Sequence, residues 1–255
     1  MIKKSPYIGT TWKMHKNRIE ARAFADALRA SPIAQSTECH PFIIPPFPYI
    51  ADVAERLSGT QIIVGAQTMH WADHGPWTGE VSPLMIKDCG ATLVELGHSE
   101  RRTHFGETDE TVALKTAAAL THGLRPLVCI GDSRDDHDAG RTAEILAGQV
   151  RAALSKADPA LVHNVLFAYE PIWSIGEGGV PAAPDFANEQ HEKIKSLTMA
   201  LCGTVLPVLY GGSVNPNNCV ALAKQPAIDG LFIGRSGWEA QGFISIVQRV
   251  TEALA

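Results

Sequence analysis

The chain has 255 residues, 45% hydrophobic and 19% charged, proportions that exclude overall disorder. Twenty-two Lys and Arg against 27 Asp and Glu leave a formal charge of −5, without the basic excess of a nucleic-acid binder. No stretch approaches the ~18 consecutive apolar residues of a membrane span, and no apolar core follows Lys3 and Lys4, so neither a membrane anchor nor a signal peptide is expected.

Short apolar, β-rich runs alternate with amphipathic stretches along the whole length. Strands are predicted at Tyr7 to Gly9, Phe42 to Ile44, Ile62 to Ala66, Thr92 to Leu96, Leu127 to Ile130, Val165 to Tyr169, Val208 to Tyr210 and Leu231 to Ile233. Most are continuous apolar runs, the pattern of strands buried on both faces of a parallel sheet. Between them, Ile50, Val53, Ala54 and Leu57 form a helical stripe, and Val112, Ala113, Thr116 and Ala117 begin another. Ile244, Val247, Val250 and Leu254 repeat the pattern near the end of the chain. Ser82-Pro83 and Asn215-Pro216 read as helix starts, an N-cap side chain before a proline. Eight strand–helix units in 255 residues give about 32 residues each, the size of a βαβ unit. No linker divides the chain, so one domain over residues 1–255 is expected, an α/β (β/α)8 barrel. A doubly wound open sheet is the alternative, weakened by the lack of G-x-G-x-x-G after the first strand.

Barrel active sites lie where strands end. Lys13 follows the first predicted strand, His98 the fourth and Glu170 the sixth, and glycine-containing loops follow the sixth, seventh and eighth. A carboxylate and an imidazole facing one substrate suit proton transfer beside a carbonyl, with Glu170 as base and His98 as electrophile. Lys13 adds fixed positive charge, and the loops offer backbone N–H groups to a phosphate. That chemistry requires no cofactor. His70 and His74 are four apart, but the turn-rich Asp73-His74-Gly75-Pro76 argues against a metal-binding helix. Cys39, Cys89, Cys129, Cys202 and Cys219 are odd in number and lack a CxxC, which suits reduced thiols in a cytoplasmic protein.

Trp12-Lys13-Met14, Gly97-His98-Ser99-Glu100-Arg101-Arg102, Ala168-Tyr169-Glu170-Pro171-Ile172-Trp173 and Tyr210-Gly211-Gly212-Ser213-Val214 resemble the triosephosphate isomerase family, in its order and spacing. The resemblance runs from Tyr7 to the last predicted helix. It implies a cofactor-free sugar-phosphate isomerase with Glu170 as base and His98 as an electrophile kept neutral at a helix N-terminus, a pKa-tuning scheme for which this family is itself the standard example. It further implies Lys13 as substrate-binding lysine and Glu100 as supporting carboxylate. Gly176, Ser213, Gly234 and Arg235 fall at phosphate-gripping positions, and Pro171 to Val180 at the lid. The segment Gly65 to Glu80 is similar to the family's interdigitating loop, which implies a homodimer in which Thr78 reaches the neighbour's Thr11 and Glu100.

The chain departs from the family at several points. Thr11 replaces an asparagine, Glu177-Gly178-Gly179 replaces a Thr-Gly-Lys, and Gly234-Arg235-Ser236-Gly237-Trp238 and Asp132 replace other usual residues. Gly9-Thr10-Thr11-Trp12-Lys13-Met14, Met69-His70-Trp71-Ala72-Asp73, Ile175-Gly176-Glu177-Gly178-Gly179-Val180-Pro181-Ala182 and Gly230-Leu231-Phe232-Ile233-Gly234-Arg235-Ser236 resemble a subgroup that converts L-erythrulose 1-phosphate to D-erythrulose 4-phosphate in bacterial tetritol catabolism. That resemblance implies a tetrulose phosphate substrate, with Thr11 bordering its non-phosphate end. Interconversion of dihydroxyacetone phosphate and D-glyceraldehyde 3-phosphate is the alternative.

Overall fold

The structure is a computed structural model that describes residues 5–176 and 178–255. Among them, eight strands alternate with helices: β1 (Tyr7–Thr11), α1 (Arg18–Arg29), β2 (His40–Ile44), α2 (Ile50–Leu57), β3 (Ile63–Ala66), α3 (Pro83–Asp88), β4 (Leu93–Leu96), α4 (Ser99–Phe105), α5 (Asp109–Thr121), β5 (Arg125–Ile130), α6 (Arg134–Asp138), α7 (Thr142–Leu154), β6 (Leu166–Tyr169), α8 (Pro184–Cys202), β7 (Val208–Tyr210), α9 (Cys219–Ala223), β8 (Gly230–Ile233) and α10 (Ala240–Leu254). Each strand pairs in parallel with the next, and β8 returns to β1 with Tyr7 opposite Gly230 and Thr10 opposite Ile233. The sheet is a closed (β/α)8 barrel, and the open-sheet alternative falls with that closure.

Side chains alternate between the two faces of every strand. Phe42, Ile44, Leu93, Leu127, Cys129, Leu166, Ala168, Leu209 and Phe232 fill the barrel interior. Their neighbours, such as Ile43, Val94, Leu96, Val128, Phe167 and Val208, pack in the layer shared with the helices. Two buried faces explain the continuous apolar runs. Gly9 is an inward position where a Cβ would overlap the Phe42 ring, so the glycine makes room for that ring.

The helix termini follow local chemistry. Asn17 and Glu20 form a reciprocal capping box at the start of α1, and the Ser82 hydroxyl accepts from the Met85 N–H at 3.2 Å. The predicted start at Asn215-Pro216 lies three residues early. The Asn215 side chain accepts from the Asn217 N–H at 2.9 Å, closing a turn, and α9 begins at Cys219 with Asn218 as N-cap.

Candidate active site

Polar residues beyond the strand ends surround a cavity of about 380 Å³ at the C-terminal mouth of the barrel. Thr11, Lys13, His98, Glu170, Gly176, Ser213, Gly234 and Arg235 all line it. Glu100 stands behind them, tied to the wall through Lys13.

Glu170 continues the inward register of Leu166 and Ala168, because its N–H donates to the Ile130 carbonyl at 2.8 Å and extends the β5–β6 ladder by one residue. Its side chain is buried, and Oε2 has no hydrogen-bond partner among the described residues. Burial raises the Glu170 carboxyl above its ordinary value, with His98 and Lys13 pulling back. Gly211 is required beside it: a Cβ there would lie 2.6 Å from Glu170 Cγ.

His98 is the N-cap of α4, and its Nδ1 lies 3.1 Å from the Glu100 N–H. An amide N–H can only donate, so Nδ1 accepts and the ring proton sits on Nε2. Nε2 is 3.6 Å from Glu170 Oε2, too far for a hydrogen bond and suited to a reacting group between them. Gly97, just before His98, is fixed through both backbone groups. Its N–H donates to Glu107 Oε1 at 2.8 Å, and its carbonyl accepts from Arg102 Nε at 2.8 Å. Glu107 is buried yet fully paired, accepting also from Arg101 Nε at 2.7 Å and Lys115 Nζ at 3.0 Å.

Lys13 adopts φ +52°, sparsely populated for a residue with a side chain. Gln67 holds this conformation by donating to the Lys13 carbonyl at 2.8 Å, and Lys13 Nζ donates to Glu100 Oε1 at 2.5 Å. Burial is the largest single influence on the Glu100 carboxyl and pushes it up, but Lys13, His98 and His104 together outweigh it and the net direction is down. Thr11 is buried, and its carbonyl accepts from the Trp238 indole at 3.0 Å.

On the opposite wall the Ser213 hydroxyl donates to the Ser174 carbonyl, and Asn215 and Asn218 donate to the Ser213 carbonyl at 3.1 and 3.2 Å. Pro171, directly after Glu170, opens the segment expected to form the lid. Tyr169 and Trp173 anchor its start to Asp132, at 3.1 and 3.4 Å, and Asp132 also accepts from the Thr142 hydroxyl at 2.6 Å. Glu177 of the sequence-predicted lid motif lies outside the described residues.

The segment Gly65 to Glu80 is helix-free after β3. His70 Nδ1 accepts from the Ala72 N–H at 2.9 Å, and its ring stacks on Trp71 and lies against Trp77. Among the described residues no group of three or more His, Cys, Asp or Glu is arranged to hold a metal, and no helix is long and apolar enough to cross a membrane.

Sequence reasoning passed over Glu95 and Glu107. Glu107 lies between two helices and carries no motif of its own. Glu95 was detectable: it is a lone carboxylate inside the apolar run Leu93-Val94-Glu95-Leu96, on the same inward parity as Leu93.

A family model described as Triosephosphate isomerase matches residues 6–250. The chain is 54% identical over 244 residues to an L-erythrulose-1-phosphate isomerase of Brucella abortus, covering 95% of both chains. It is 52% identical over 249 residues to the protein of that name from Mesorhizobium japonicum, covering 97% of this chain and 98% of the relative. It is 51% identical over 255 residues to the one from Rhizobium meliloti, covering 100% of both. With the closed barrel and a match over nearly its whole length, the chain belongs to the triosephosphate isomerase family and is an isomerase.

Proposed function

We propose that the chain isomerises L-erythrulose 1-phosphate to D-erythrulose 4-phosphate by proton transfer through an enediolate. The observation that carries the mechanism is Glu170 Oε2, buried, without a hydrogen-bond partner among the described residues, and 3.6 Å from His98 Nε2. Glu170 removes the proton from the hydroxyl-bearing carbon beside the carbonyl. His98 donates from Nε2 to the carbonyl oxygen, and Lys13 offsets the negative charge that develops there. The Glu170 proton then returns to the former carbonyl carbon while the hydroxyl proton passes between the oxygens, so the carbonyl moves by one carbon and nothing is gained or lost. Gly176, Ser213, Gly234 and Arg235 grip the phosphate, and closure of the 171–180 segment keeps water from the enediolate. The chemistry uses side chains alone and calls for no cofactor.

The substrate assignment rests on the names of the relatives and on Thr11. Compared with a three-carbon ketose phosphate, the tetrulose carries one more hydroxymethyl group on the carbon that loses its proton. Thr11 is a short side chain bordering the cavity there, and its backbone is pinned by Trp238. The measurement that tests this is kcat/KM on L-erythrulose 1-phosphate and D-glyceraldehyde 3-phosphate side by side. We expect a preference of about 10²-fold or more for the tetrulose, ~2.7 kcal/mol of transition-state discrimination. An equal preference for the triose overturns the substrate assignment.

The same reading has the chain act as a cytoplasmic homodimer, with Thr78 reaching its neighbour. Supporting the dimer, residues 73–80 are exposed, and Met14, Leu84, Met85 and Phe105 leave large apolar side chains in solvent. Sedimentation of wild type and Thr78→Arg tests it: a dimer that the variant converts to monomer is expected.

A further inference from the structure

Beneath the cavity lies a second carboxyl that the proposed mechanism leaves unused. Glu95 is 3% exposed on the inner face of β4. The donors beside it are neutral, the Cys129 thiol with Sγ 4.0 Å from Oε1 and the Thr11 hydroxyl, and Oε2 has no hydrogen-bond partner among the described residues. Glu107, equally buried in the same chain, accepts from an amide, an arginine and a lysine. Three donors, two of them cationic, stabilise an anion, and a neutral thiol and hydroxyl do so far less. Glu107 thus has the surroundings of a carboxylate, and Glu95 those of a neutral acid.

The groups that act on Glu95 come from four strands. They are Thr11 at the end of β1 and Lys13 just past it, His98 beyond β4, Cys129 on β5 and Glu170 past β6. Burial is the largest influence and raises its carboxyl, the neighbouring Glu170 charge adds to that, and His98, Thr11 and Lys13 pull back, leaving it at about 7. Two carboxyls that interact across a dry interior do not ionise together. Since Glu170 is the one beside the reacting carbon, the proton belongs on the other.

We propose that Glu95 is a positioning residue for the base, a proton-bearing carboxyl on the floor of the site whose neutrality leaves Glu170 as the sole buried anion facing the substrate. This rests on Glu170 being the base. Ionisation of Glu95 adds a negative charge beneath an enediolate and a phosphate, so activity declines as Glu95 loses its proton.

The test is an infrared titration of the intact protein between about pH 5 and about pH 9, alongside kcat/KM profiles for L-erythrulose 1-phosphate. Wild type should show the C=O stretch of a buried neutral carboxyl that disappears as pH rises through about 7, and Glu95→Gln should lack it. Glu170→Gln should lower the midpoint of that band, because the like charge is gone. The wild-type kcat/KM should fall roughly tenfold across the alkaline limb, and that limb should vanish in Glu95→Gln. Glu95→Leu replaces it if the glutamine variant does not fold. A missing band, a band that survives in Glu95→Gln, or a midpoint unmoved by Glu170→Gln overturns the proposal. So do identical pH profiles for wild type and Glu95→Gln. Failure to turn over the tetrulose phosphate defeats the functional reading instead, and the substrate-free band still decides where the proton sits.

Discussion

The Gly97 amide donates to Glu107 Oε1 at 2.8 Å, tying the residue before His98 to a buried cluster that also contains Arg101 and Lys115. Through this bond the orientation of the imidazole depends on charges outside the cavity. Glu107→Gln leaves Lys115 buried without its counter-charge, and breaking such a pair costs about 3–5 kcal/mol. Urea denaturation should register that loss, and kcat should fall with little change in circular dichroism. The cluster also sets an acid limit. Burial alone would raise the Glu107 carboxyl, but Lys115, Arg101 and the Gly97 amide hold it below its ordinary 4.5. Its stabilisation is therefore complete above that value and is lost as pH falls through the lower, folded one.

Glu170→Asp withdraws the carboxylate by about one methylene while retaining its charge. A base misplaced by about 1 Å costs on the order of 10² in rate. The loss should appear in kcat, with KM nearly unchanged, in steady-state assays on either sugar phosphate. A protein that merely binds phosphate would retain its ligand affinity.

Thr11→Asn lengthens the side chain at the wall assigned to the extra hydroxymethyl group. The ratio of kcat/KM for the tetrulose over the triose should fall by about tenfold, the scale of one methylene in a fitted pocket. An unchanged ratio removes Thr11 from the account of specificity.

Glu95 and Glu170 act on stability with the opposite sign to Glu107. Both folded values lie above the ordinary carboxylate value, so the native state binds more protons than the unfolded chain and stability declines as pH rises, for Glu95 between about pH 4.5 and about pH 7. Glu95→Gln removes one such group. Its melting temperature should match wild type near pH 4.5 and exceed it at pH 8, by an amount reflecting up to about 3 kcal/mol.

Strand positions were legible because burial on both faces leaves runs such as Leu127-Val128-Cys129-Ile130 with no polar interruption. Their ends were less so: β1 runs on through Thr10 and Thr11, whose polarity reads as loop, because the ladder to Ile43 and Ile44 continues there. The early helix start at Asn215 has a similar origin, since an asparagine can close a turn or cap a helix and only the partner decides. The residues that ring the cavity were readable from strand-end position and family motif together. What supports them was not. Gln67 reaches Lys13 across 54 positions in sequence and Trp238 reaches Thr11 across 227, and such contacts leave no local pattern.

The seam where β8 meets β1 also sets a timetable. Tyr7 waits for Gly230, so during synthesis one edge of β1 stays open until β8 has been made, roughly 10–45 s later at about 5–20 residues per second. Gly234, Arg235 and Trp238 arrive with that last strand. A nascent chain halted before them has Lys13, His98 and Glu170 but an unclosed cylinder and an exposed strand edge prone to pairing with other chains. Competence for catalysis therefore arrives in one step, when β8 closes the cylinder on β1.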